Sequence, residues 1–242
     1  MQIMIFGLGR LGSDLSKYFQ KQGHQVLGTR TENWKLGDAL PLEIQNALQQ
    51  VDVFIFTIPP VQGLSQGLKQ VLKDYPLLKK RRVYVCNSIS IYGSNPGEVD
   101  ESNSPMPDTS RGMELLELEQ SLTGLSSKIV SLRLGGLFSD ERHPVYYLTG
   151  KKDLKGAGEF LNGVHHLDVA RAILHIENKH IPDQKINIVW DQHPEKSVFY
   201  VKAAKELDLK VPDYSEDKNP KKKIIQSKVL RESGFNFVKP LD

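Results

Sequence analysis

The stretch "QIMIFGLGRLGSDLSKYFQKQGHQVLGTRT" (residues 2–31) holds an apolar run, a glycine-rich turn, an amphipathic segment and a second apolar run. Residues 2–6 carry no charge and read as a buried strand. Leu11, Leu15 and Phe19 recur at helical spacing and share one face, and Gly23 stands where a helix ends well in a left-handed residue. Strand, turn, helix and strand in this order predict a βαβ unit with parallel strands. The turn itself, Gly7, Gly9 and Gly12, has the spacing G-x-G-x-x-G. Gly7 permits a sharp turn, Gly9 lets a pyrophosphate approach the backbone, and Gly12 lets the helix pack close to the strand. The helix start, Arg10 and Leu11, brings free N–H groups and a positive dipole end to an anion. A dinucleotide is the expected ligand.

Its type is suggested by the end of the second strand, Gly28-Thr29-Arg30-Thr31. A chain specific for NAD usually places an acid there to accept hydrogen bonds from the adenosine ribose. Arg30 can instead fork onto a 2′-phosphate and stack on adenine, so NADP is expected, with NAD open because Glu32 follows closely.

The alternation continues. "DVFIFTIPP" (residues 52–60) is an apolar strand of the kind buried on both faces of a parallel sheet, followed by a helical stripe of Leu64, Leu68, Val71 and Leu72. "RRVYVCNSISIYG", "SRGMELLELEQ" with its stripe Leu115, Leu118 and Leu122, "KIVSLRLGGLF" and "QKINIVW" complete the pattern. The fold class is α/β, a doubly wound parallel sheet with a small C-terminal substrate lobe. One domain over residues 1–242 is expected, its lobe formed mainly by 139–163 and 191–242. Residues 93–110 and 139–163 read as long loops.

The chain has 242 residues and 39% hydrophobic content, enough for an ordinary core. Its longest apolar run is far short of the roughly 20 residues that span a bilayer. The N-terminus runs straight into the glycine motif and reads as a strand, so a cytoplasmic protein with no membrane partner is expected. One cysteine, Cys86, excludes an internal disulfide. The net charge of +3 owes much to "KNPKKK" (residues 218–223), where no aromatic residues interleave, so a nucleic-acid partner is not expected. His143, His165, His166 and His175 have no zinc-site spacing and no metal is expected.

Three motifs, in order, carry a resemblance. "VYVCNSISIYG" resembles a strand ending in serines before Tyr-Gly, "SLRLGGLF" an LR-x-G-x-(Y/F) strand, and "NGVHHLDVARAI" an N-x-x-H-x-x-D-(V/L)-A helix start. On these the chain resembles the extended or atypical short-chain dehydrogenase/reductases, the NAD-dependent epimerase/dehydratase family, nearly end to end. Its glycine motif and the ending "KKKIIQSKVLRESGFNFVKP" resemble a branch labelled as nucleoside-diphosphate-sugar epimerases. The resemblance implies an NAD(P)-binding Rossmann fold and a small-molecule substrate, with a homodimer as a further expectation. It implies that Ser88, four residues before Tyr92, bonds a substrate hydroxyl or carbonyl, and that Thr57, Ile58 and Pro59 border the cofactor. Asp168 is read either as a helix cap or as a ligand.

The departure lies in "SRGMELLELEQ". The family carries a catalytic tyrosine and, four residues on, a lysine on this helix; the matching positions fall near Arg111 and Leu115, and no tyrosine occurs between Gly93 and Val145. Tyr92 and Tyr147, the latter in a Tyr-x-x-x-Lys with Lys151, are the substitute candidates; Tyr75 to Lys79 is interrupted by Pro76 and reads as accidental. Seven acids against one base between Glu98 and Glu119 do not favour an anionic ligand beside that loop. The expected function is an NADP-binding oxidoreductase or epimerase-like protein acting on a sugar nucleotide or another hydroxyl or carbonyl substrate. The alternative is a catalytically silent NADP sensor or scaffold. A β-hydroxyacid dehydrogenase would need a helical C-terminal domain, which the late strand "KINIVW" opposes.

Overall fold

The computed structural model describes residues 1–59, 63–126, 128–182 and 185–240; Pro60, the end of one apolar run, lies outside them. Strand β1 (Gln2–Phe6), helix α1 (Arg10–Lys21) and β2 (Gln25–Thr29) form the first βαβ unit, with Gly23 at φ +81° just past the helix. There follow α2 (Leu42–Ala47), β3 (Val53–Phe56), α3 (Leu64–Asp74) and β4 (Arg82–Ser88). The second half contains β5 (Gly97–Val99), α4 (Ser110–Thr123), β6 (Ile129–Leu134), β7 (Gly136–Phe138), β8 (Gly163–His165) and α5 (His166–Lys179). The chain ends with β9 (Lys185–Ile188), α6 (Lys196–Glu206), β10 (Lys223–Ile225) and α7 (Lys228–Glu232).

Six strands form one parallel sheet in the order β2-β1-β3-β4-β6-β9. From β1 the chain steps outward to β2 and then returns to the other side as β3, so the connections diverge above the C-terminal ends of β1 and β3. That divergence opens a crevice, the usual ligand position in such sheets.

Strands covered on both faces must be apolar throughout, and β3 and β6 are buried at every residue. Alternate side chains feed two cores. Met4, Phe6, Phe54 and Phe56 face α3 and α4, while Ile3, Ile5, Ile55 and Leu132 face α1 and α5. Phe6 and Phe56 stack with centroids 4.3 Å apart.

Two short parallel pairs, β5 with β10 and β7 with β8, lie outside the main sheet, where the sequence reads as loop or gives no periodic signal. Residues 139–163 pack on the segment after β9: Phe160 bridges Glu195, Leu154 bridges Tyr214, and Lys196 lies 2.6 Å from Glu159. The last stretch returns to the main body, where Leu230 and Phe235 join the core. Asp168, fully buried, accepts from the backbone N–H of Val238 and Lys239 and from Arg171, so it ties down this last stretch. Among the described residues no helix is long and apolar enough to cross a membrane.

Candidate functional site

The glycine loop lies over the crevice. Gly7 takes φ +101°, a conformation that a side chain would strain, and turns the chain from β1 into α1. Thr29 holds this turn from β2: its hydroxyl accepts from Gly7 N at 3.1 Å and its carbonyl from Leu8 N at 2.7 Å. Thr57 holds it from β3, donating its hydroxyl to the Gly7 carbonyl at 2.5 Å. A Cβ on Gly12 would stand 2.2 Å from that same carbonyl, so the helix meets the loop there without room for any side chain. A Cβ on Gly9 would meet nothing within 4 Å. Helix α1 begins at this open point with no side-chain cap and no acid in its first turn. The first N–H groups of the helix therefore face open space with their positive dipole end, an arrangement that fits a diphosphate.

On one side of the loop a cavity of about 490 Å³ is lined by Gly7, Gly9, Thr29, Arg30, Glu32, Trp34, Lys35, Thr57, Ile58 and Pro59. The Arg30 guanidinium folds back over the loop and donates to the Leu8 carbonyl at 2.8 Å, while staying exposed. On the other side a chamber of about 500 Å³ shares Gly9, Thr57, Ile58 and Pro59 with the first and extends past Arg10 and Leu11 to Ser88. The structure thus brings the expected cofactor residues and Ser88 to one groove; Gly12 supports it from beneath.

Ser88 ends β4 half-buried, and its position is set by its neighbour. Asn87 accepts from Ser88 N at 2.8 Å and donates its amide toward the Leu115 carbonyl and the Ser131 hydroxyl, both at 3.2 Å. The Ser88 hydroxyl accepts from Ser90 N at 3.2 Å and lines the chamber with its own proton free to donate. Burial pushes the neighbouring Cys86 thiol up to about 12, so it remains protonated.

The tyrosine candidates fare differently. The structure does not bring Tyr92 to the groove. Its side chain is 3% exposed, and its hydroxyl lies 3.0 Å from both the Asp100 carbonyl and Asn187 Oδ1 while accepting from Arg133. Burial also raises the phenol's pKa, against the partial offset of Arg133. A tyrosine so committed cannot reach a ligand. Arg133 in turn makes two bonds to the Glu119 carboxylate, at 2.6 and 2.9 Å, with both side chains 1% exposed. This pair locks α4 to β6. Tyr147 is 53% exposed and stands at the outer mouth beside Arg10, Asp14 and Arg30, its hydroxyl accepting from Arg142 Nε at 2.8 Å. It does not line the Ser88 chamber. Tyr75 accepts from Leu40 N, away from the groove.

On α4 the two positions that lack tyrosine and lysine separate. Arg111, exposed in the first turn, lines the chamber with Ser88; Leu115, one turn on, is buried in the core. The acids of 98–119 do not surround them. None lines the Ser88 chamber: Glu101 accepts from the backbone of Asn187 and Lys228, Asp108 from Ser94, and Glu119 is spent on Arg133.

Three groove residues escape a reading of the sequence. Lys35 lies beside Arg30, Arg142 comes from a loop, and His166 reaches both the chamber and the outer mouth. His166 Nδ1 lies 2.7 Å from Asp14 Oδ2 on the glycine helix, a pair 152 residues apart in the chain. The one signal for it was His166 at the start of a helix in a family motif. The other histidines do not gather: His165 Nδ1 accepts from Leu167 N, His143 Nδ1 from Val145 N, and His175 bonds Ser233.

No protein-family model matches the chain. It is 31% identical over 265 aligned positions to Protein YeeZ of Escherichia coli strain K12, with 99% of this chain and 96% of that protein covered. Among solved structures it is similar to a short-chain dehydrogenase/reductase superfamily protein of Agrobacterium tumefaciens with bound NAD. The TM-score is 0.76 at 14% identity, covering 100% of this chain and 94% of the other. It is equally similar to dTDP-4-dehydrorhamnose reductase of Bacillus anthracis in complex with NADP, with TM-score 0.76, 16% identity and coverage of 99% and 94%. The switch-point groove, the glycine loop and the end-to-end match together place the chain: it belongs to the family of Protein YeeZ, with the fold of the extended short-chain dehydrogenase/reductases.

Proposed function

We propose that the protein is an NADP-dependent oxidoreductase or epimerase-like enzyme acting on a hydroxyl or carbonyl group of a sugar nucleotide or another small molecule. One observation carries this reading: two adjoining cavities that share Gly9, Thr57, Ile58 and Pro59 extend from Arg30 to Ser88 on either side of an uncapped helix N-terminus at the sheet's switch point. A bound nicotinamide dinucleotide supplies the hydride donor or acceptor. The backbone of Gly9, Arg10 and Leu11 holds the diphosphate on the turn that Gly7 and Gly12 shape, Thr29 and Arg30 border the adenosine ribose, and Thr57, Ile58 and Pro59 line the passage between. Ser88 donates a hydrogen bond to the reacting oxygen. Residues 139–147 border the substrate side of the groove, with Arg142 lining the Ser88 chamber and Tyr147 its outer mouth. Asp14 fixes the His166 ring where it lines the Ser88 chamber, so His166 suits proton exchange with a bound substrate better than Tyr147 at the mouth.

Two substitutions test the reading. Arg30 and Lys35 stand against Glu32 at the adenosine end, and charge-assisted hydrogen bonds to a 2′-phosphate contribute on the order of 1.5–3 kcal/mol each. Fluorescence titration is expected to give about 10-fold to 100-fold tighter binding of NADPH than of NADH, an order that Arg30→Glu reverses. Equal affinities in the wild type would mean that Arg30 does not meet the cofactor. Ser88→Ala is expected to lower turnover by roughly 100-fold without moving NADPH affinity. Lost cofactor binding in that variant would instead make Ser88 a cofactor contact. The absence of the tyrosine and lysine, with Leu115 buried in the lysine's place, favours a second reading: a silent NADP sensor or scaffold, which binds NADPH but turns over no substrate.

A further inference from the structure

The chamber at the Ser88 end is lined by Arg10, Arg111, Arg142 and His166 and by no aspartate or glutamate. Among the described residues none of these arginines has a carboxylate within ion-pair distance; the Arg142 guanidinium donates to the Tyr147 hydroxyl. Away from the groove four arginines are paired with acids, while the exposed Arg81 has no carboxylate within that distance among the described residues. Arg82 faces Glu177, Arg133 Glu119, Arg171 Asp168 and Arg231 Asp191, each within 4.0 Å. The nearest acids stand at the outer mouth, Asp14 bonded to His166 and Glu141 beside Arg142, so the chamber itself keeps an excess of arginine, and such a cleft concentrates anions from solution. Guanidinium groups in particular match the planar fork of a carboxylate or the oxygens of a phosphate.

Arg10 opens the glycine helix and belongs with the dinucleotide. Arg111 and Arg142 remain, one from the first turn of α4 and one from the loop after β7. The Glu119–Arg133 pair fixes α4 against the sheet, so Arg111 is presented from a rigid base. We propose that Arg111 and Arg142 hold an anionic group of the substrate, a carboxylate or a phosphate, at the Ser88 end of the groove. The substrate is then an organic acid or phosphate ester whose reacting hydroxyl or carbonyl lies near its own charge. This rests on the cofactor reading above, which assigns the glycine-loop half of the groove to the dinucleotide.

Protein saturated with NADPH, which keeps other anions off the glycine loop, is titrated at constant ionic strength with acetate, inorganic phosphate and acetamide, an uncharged analogue of acetate. Binding is followed by chemical shifts of the protein amides. Acetate or phosphate is expected to bind and acetamide not to, and the tighter of the two anions identifies the group. Arg111→Gln and Arg142→Gln should each weaken that anion about tenfold while leaving NADPH affinity within a factor of about two. The proposal is overturned if neither anion binds, if acetamide binds as well as acetate, or if neither substitution moves the anion affinity. Failure of NADPH to bind removes the cofactor reading alone; the same titrations on unloaded wild type and the two variants then decide the arginine site.

Discussion

Gly9→Val is expected to leave the protein folded and to remove its NADPH binding. Nothing lies within 4 Å of where a Cβ on Gly9 would stand, and the residue's φ of −73° with extended ψ suits a β-branched side chain. The new side chain therefore displaces no protein atom. It occupies the open space before the first N–H groups of α1, where the diphosphate must approach. A loss of at least about 100-fold in NADPH affinity should follow, roughly 2.7 kcal/mol. Gly12→Ala provides the contrast, because its single methyl would stand 2.2 Å from the Gly7 carbonyl, a backbone atom held by Thr57. That overlap forces α1 away from β1 and should cost about 1–3 kcal/mol of stability. Fluorescence titration with NADPH and thermal unfolding, run on both variants, separate the two effects. Wild-type NADPH affinity in a folded Gly9→Val variant would remove the glycine loop from the cofactor site.

Glu119→Leu should produce the largest loss of stability. Its carboxylate takes two bonds from Arg133, and both side chains are 1% exposed. Removing one partner leaves an uncompensated buried charge, a change that costs about 3–5 kcal/mol. For a chain of this size that corresponds to a fall of roughly 6–20 °C in the unfolding midpoint. Adding Arg133→Met to the same variant should recover part of the loss, because an apolar pair of similar volume carries no desolvation penalty. Urea denaturation of the two single variants and the double one measures the coupling. A double variant less stable than Glu119→Leu would show that Arg133 contributes chiefly through its stacking on Tyr92, where its guanidinium lies 5.0 Å from the ring centroid.

The parts of this protein legible in its sequence are those that follow from local order. A strand buried on both faces must be apolar throughout, a helix packed on one side must repeat its apolar residues each turn, and a tight turn needs glycine where φ is positive. Residues 2–31 satisfy all three, so the first βαβ unit and its glycine turn could be read directly, and the same apolar runs further along the chain marked the other strands of the parallel sheet. The stripe Leu115, Leu118 and Leu122 likewise placed α4. What only the tertiary structure decided are contacts whose partners lie far apart in the chain. Tyr92 has a fitting motif position, yet Arg133 and Asn187 draw its hydroxyl into the core. The acids of 98–119 flank Arg111 along the chain, while folding sends Glu101 to Asn187 and Lys228 and Glu119 to Arg133, leaving Arg111 with the cationic side of the groove. His166 meets Asp14 across 152 residues, and the three-residue strands β5 and β10 pair across most of the second half. Such contacts leave no periodicity to read, because a side chain's direction and the charge that reaches it are set by the packing of whole elements.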